Sequence, residues 1–136
     1  GHPTAAAAGV AVVNAMLDRN LIPRVKTQGD TLMAALEAKF GQHPNVGDIR
    51  GRGLFQGVEL VADRATKAPF DASRKIAGRI KTAAFNAGLI CYPMSGTIDG
   101  QNGDHVLLAP PFIISDDQID ELVSKLSVAI GTVLQS

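Results

Sequence analysis

The chain has 136 residues, 46% hydrophobic and 19% charged, with 13 Lys+Arg balanced by 13 Asp+Glu. This is the composition of one ordinary globular domain, able to bury roughly two-thirds of its unfolded surface. Zero net charge argues against a nucleic-acid or anionic-membrane partner, no apolar run reaches the length of a membrane span, and the lone Cys91 excludes a disulfide framework.

A single cysteine makes a reducing compartment, the cytoplasm, the expected location. The chain opens Gly1-His2-Pro3-Thr4 and runs into four alanines, with no initiator methionine, as a piece of a larger protein would. Residues 4–19 read as a helix: Thr4 can cap it, alanine has the best helix propensity, and Ala6, Val10, Val13 and Leu17 share a face. Asn20 is its stop. Pro23 suits the first turn of a second helix, with Val25, Leu32, Leu36 and Phe40 on the apolar side and Gly41 at the end. His43-Pro44-Asn45 is a turn.

Two strands are expected next, over 46–50 and 54–61, separated by the segment Arg50-Gly51-Arg52-Gly53. In the second, Val58 and Leu60 share one face, with Phe55, Glu59 and Val61 on the other. Residues 63–71 are a polar loop. A third helix spans 73–87 with Ile76, Ile80 and Ala84 inward, and Gly88 sits where a left-handed C-terminal cap belongs. Residues 89–92 read as a short buried strand containing Cys91, an inert structural thiol there. The glycine-rich stretch 93–104 is a loop longer than packing needs, and such loops often carry function. A strand over 105–109 stops at Pro110-Pro111. Ser115 with Gln118 forms a capping box for a last helix faced by Ile119, Leu122, Val123, Leu126, Ile130 and Val133. The fold class is therefore α/β of the α+β kind: a small, largely antiparallel sheet with helices on one face, behind a long N-terminal helix.

Gly51, Gly53 and Gly57 carry the strongest local signal. Their spacing is G-x-G-x-x-x-G and a strand follows, so the dinucleotide fingerprint, which needs G-x-G-x-x-G opening a helix, does not apply. A glycine bulge that bends the strand is the expected reading. Arg50 and Arg52 could clamp a carboxylate or phosphate, or pair with acids nearby. His2, His43 and His105 are far apart in sequence and no metal-ligand spacing occurs, so no metal is expected. Ser95 and Ser115 lack a nucleophile elbow, and Asp116-Asp117 complement a helix dipole. Lys39, Lys67, Lys75, Lys81 and Lys125 fall on polar helix faces or loops, unlike the desolvated lysine of Schiff-base chemistry.

Gly1-His2-Pro3-Thr4-Ala5, the segment from Arg50 to Leu60, Gly88-Leu89-Ile90, and the segment from Leu108 to Ile114 occur in an order and spacing that resemble the C-terminal part of a class III aminotransferase. That family is fold-type I and pyridoxal-phosphate-dependent. The resemblance covers essentially the whole chain and implies amino-group transfer from an amine or amino acid to a 2-oxo acid. It further implies a linking helix over 1–20, a small C-terminal domain over 21–136, and a homodimeric parent. The Schiff-base lysine and the other cofactor contacts would then lie upstream of Gly1. The resemblance accordingly implies no catalytic or cofactor-binding residue here, no bound pyridoxal 5'-phosphate, and no activity from this piece alone. By the same resemblance the substrate entrance involves Arg52, Tyr92, Gly100, Gln101 and Leu107. Leu107 stands where ornithine and 4-aminobutyrate transaminases look to have a carboxylate-gripping arginine. Gly100-Gln101-Asn102 precede Gly103-Asp104-His105 where omega-amine transaminases look to have a mobile one. The Gly-Asp-His and Ala-Pro-Pro pattern is nearest the amine:pyruvate branch. The alternative is a free-standing small-molecule-binding or regulatory α/β module, which should bury its own first helix; the fragment should leave an apolar face of that helix uncovered.

Overall fold

Proline at the first helical position and a run of alanines set the first element, α1 (Pro3–Asp18), in the computed structural model, which describes residues 1–134. The helix is flanked by His2, not capped by Thr4: Pro3 has no N–H to satisfy and its fixed φ suits the first turn, so helix begins before Thr4. Asn20 ends it as expected, in the left-handed conformation (φ 50°), and α2 (Leu21–Phe40) leaves at a 65° bend. Among the described residues no single helix is long and apolar enough to cross a membrane. Leu32, Leu36 and Phe40 of α2 are fully buried, with Val25 packed at the margin of the same core.

Four strands follow: β1 (Val46–Arg52), β2 (Phe55–Leu60), β3 (Tyr92–Ser95) and β4 (Asp104–Leu108). They form one wholly antiparallel sheet in the order β1-β2-β4-β3. Val58, Leu60, Val106 and Leu108 point into the core, against α2 on one side and α3 (Ile76–Asn86) on the other; α4 (Asp116–Leu134) packs across both helices. The opposite face of the sheet carries no helix of the described residues, an arrangement antiparallel sheets permit.

The glycine segment is not a bent strand. Arg52 pairs with Phe55, so Gly53 and Leu54 form the two-residue turn of a hairpin, Gly53 taking φ 56°. The register irregularity of β1 lies instead between Val46 and Asp48, at Gly47. Val61 does not face outward with Phe55 and Glu59. The strand ends at Leu60, the Val61 N–H donates to the Asn45 carbonyl at 3.0 Å, and its side chain tucks beneath Gly47.

The third helix is shorter than 73–87. Asp71 accepts the Ser73 N–H at 2.8 Å and caps a separate 3₁₀ turn (Ala72–Arg74), and Lys75 at φ 50° breaks the chain before α3. Ile76, Ile80 and Ala84 are buried and Gly88 takes the left-handed cap, as the pattern predicts. Residues 89–92 are not a buried strand. Only residues from Tyr92 onward find a partner in β4; Ile90 is 89% exposed, and Cys91 is half-buried with its thiol pushed up by burial. The loop consequently shortens to 96–103.

The last helix begins as predicted. The Ser115 N–H donates to Gln118 Oε1 at 3.1 Å, and the Gln118 N–H donates to Ser115 Oγ at 3.3 Å. Ser115→Ala is expected to cost about 1 kcal/mol in urea unfolding; unchanged stability would show the reciprocal cap to be idle. Just before it, the Ile114 carbonyl accepts from Arg24 Nη2 at 2.6 Å and from buried Gln28 Nε2 at 3.1 Å, and Gln28 Nε2 also donates to Asp116 Oδ1 at 2.9 Å. These bonds lock the Pro-Pro segment and the start of α4 onto α2.

Candidate functional site

Alternation along four short strands puts one set of side chains on the open face of the sheet. The register aligns Arg50, Gly57, Leu107 and Tyr92 in a single row across β1, β2, β4 and β3. The next row is Asp48, Glu59, His105 and Met94; on the other side lies the Arg52–Phe55 pair. Between them is a cavity of about 280 Å³ lined by Arg50, Phe55, Gly57, Glu59, His105 and Leu107, with Thr97 at its margin.

Arg50 organises the charge here. Its Nη1 donates to Asp48 Oδ2 at 2.7 Å and to Glu59 Oε2 at 3.0 Å, while the side chain remains 64% exposed. The guanidinium bond holds the Asp48 carboxyl below its ordinary range, and the two carboxylates raise Arg50 above its own. Burial, helped by Arg50, pushes the His105 imidazole down, so it is neutral at pH 7. Arg50 is therefore the cavity's one cation among the described residues. Exposed ion pairs of this kind add little stability by themselves.

Of the residues named from sequence, Tyr92 and Leu107 are direct neighbours on this face. Arg52 shares the face through its pairing with Phe55 but borders a separate groove against α2, beside Val25, Lys26 and Gly29. Gly100 and Gln101 lie in the 96–103 loop, which springs from the opposite strand ends, Ser95 and Asp104. That loop closes on itself: Asp99 Oδ1 accepts the N–H groups of Asn102 at 2.7 Å and Gln101 at 2.9 Å, bonds that help hold the Asp99 carboxyl down to about 2. Arg50, Phe55, Gly57, Glu59 and His105 were not among the entrance residues expected from sequence, although the two-residue period of 55-57-59 and 105-107 was the signal for them.

The sequence pattern of the aminotransferase class-III family matches residues 1–130. The chain belongs to the class-III aminotransferases. An uncharacterized aminotransferase of Schizosaccharomyces pombe is 47% identical over 95% of this chain, which spans 28% of that relative. Among solved structures, a transaminase from the marine bacterium Virgibacillus superposes with a TM-score of 0.89 at 35% identity, covering 98% of this chain and 29% of its own. A PLP-bound aminotransferase mutant from Vibrio fluvialis superposes with a TM-score of 0.79 at 32% identity, covering 90% of this chain and 25% of its own. The sheet and its helices are thus those of a fold-type I transaminase, and the chain accounts for under a third of each of these proteins.

The six lysines of this class-III aminotransferase chain are exposed or ion-paired. A Schiff-base lysine needs a desolvated setting. Lys26, Lys39, Lys67, Lys75 and Lys81 are exposed, and Lys125 Nζ is occupied by Glu121 at 2.6 Å and the Gly88 carbonyl at 3.2 Å.

Proposed function

We propose that this chain is the C-terminal small domain of a pyridoxal-phosphate-dependent transaminase that moves an amino group from an amine or amino acid to a 2-oxo acid. The cofactor supplies the electron sink when bound to the parent, and its lysine lies on a large domain outside these residues. In this reading residues 1–20 link the two domains, residues 21–136 form the small one, and the parent is a homodimer.

One observation carries the reading. Helix α1 contains no buried residue: Val10 is 61% exposed, Val13 54% and Leu17 69%, and the helix bears no charge before Asp18. An apolar helix with so little of its own chain to cover it is a docking surface for a partner, which a free-standing module would not leave bare. The partner that best fits is the remaining length of a class-III aminotransferase, since relatives of this chain are more than three times as long.

The test compares the parent protein with the chain alone. The parent, supplied with pyridoxal phosphate, an amine and pyruvate, is expected to form alanine. Borohydride treatment of residues 1–136 mixed with the cofactor is expected to label no specific lysine. A single labelled lysine in this chain, or a parent without amino-transfer activity, would overturn the proposal.

A further inference from the structure

We infer that Arg50 binds the carboxylate of the 2-oxo acid, in the open-face cavity between β1 and β4. The inference rests on the proposed amino-transfer function and names the residue that would hold the acceptor.

The argument begins with Gly57. It stands between Arg50 and Leu107 in the cross-strand row, and having no side chain it leaves the floor of the cavity open. Strands are about 4.8 Å apart, so the space from Arg50 to Leu107 is about 10 Å wide at the backbone. With about 280 Å³ inside, the cavity lies at the small end for ligand pockets and suits a short acid.

Arg50 directs its Nη1 to both Asp48 and Glu59. Its Nε and Nη2 have no partner among the described residues, leaving the pair of parallel N–H groups that matches a carboxylate. The two acids fix the guanidinium, which removes part of the ordering cost of binding. Leu107 and Phe55 supply apolar walls for the carbon chain of the ligand. Glu59 lines the same cavity and repels an incoming carboxylate, so the ligand sits toward Leu107 and binds more weakly than to an unopposed arginine.

The test uses the complete parent protein and pyruvate as the probe, with affinity read by calorimetry and folding by Tm. Arg50→Met is expected to weaken pyruvate binding by about tenfold or more, and Arg50→Lys to restore it poorly, because an ammonium cannot present the fork. Glu59→Gln is expected to tighten binding several-fold by removing the repulsion. Gly57→Val is expected to block the cavity while Tm holds, since a Cβ there meets only the Arg50 carbonyl oxygen and Leu107 Cδ2 at 3.6 Å, an ordinary contact. If Arg50→Met and Glu59→Gln lower Tm and leave pyruvate affinity unchanged, the Arg50 fork is purely structural and the inference falls. A parent that transfers amino groups with the same pyruvate KM in Arg50→Met also sinks it, with the proposed function intact. Arg50-dependent pyruvate binding in a parent without transferase activity would refute the function and leave this site standing.

Discussion

Gly29→Ala is expected to destabilise the domain by about 2 kcal/mol, although alanine is the better helix former by about 1 kcal/mol. Gly29 lies mid-way along α2, where the hairpin turn comes down on it: a Cβ there would land on the Gly53 backbone. A backbone cannot swing aside as a side chain can, so the cost falls at the upper end of the roughly 1–3 kcal/mol of overpacking and outweighs the propensity gain. Gly78→Ala is the control. It sits near the start of α3 with nothing within 4 Å of its Cβ position, so the same substitution should stabilise by up to about 1 kcal/mol. Urea denaturation of both variants checks the pair. Equal effects of one sign would mean that α2 and the hairpin do not meet as described.

Val13→Asp should separate the chain from its parent. In the 136-residue chain Val13 is more exposed than buried, and the substitution is expected to change Tm little, through helix propensity alone. In the full-length protein, where α1 is proposed to be covered, the same aspartate would be an unpaired charge in an apolar interface. A loss of several kcal/mol is expected there, read as a collapse of Tm and of amino-transfer activity. A parent that tolerates Val13→Asp would show that α1 faces solvent in the whole protein and would remove the main support for the domain reading.

Much of the fold was legible because periodicity reports burial directly. The a/d-like stripe of Ile119, Val123, Leu126, Ile130 and Val133 is buried as read, and the Ser115–Gln118 cap is a purely local signal that needs no tertiary context. The readings that failed lie where a distant partner decides. Residues 89–92 have strand-like composition, but β4 pairs only from Tyr92 onward. The glycines at 51 and 53 read as a bulge because sequence does not reveal that Arg52 and Phe55 close a ladder across them. Gly29 and Gln28 carried no signal, since their roles, as a landing for Gly53 and an anchor for Ile114, depend on elements far away in the chain.

The candidate site divides the same way. Sequence by itself determined the helices and strands with clean periods and the uncharged apolar helix at the start, which follow from residue type and spacing; the family came from resemblance to known aminotransferases. Tertiary structure alone decided that α1 is bare, that Tyr92 and Leu107 are neighbours while Gln101 is at the far end of their strands, and that Arg50 shares a cavity with both Glu59 and Leu107. The physical reason is register. Strand pairing joins residues fifty positions apart, and a shift by one would carry every one of these side chains to the other face of the sheet.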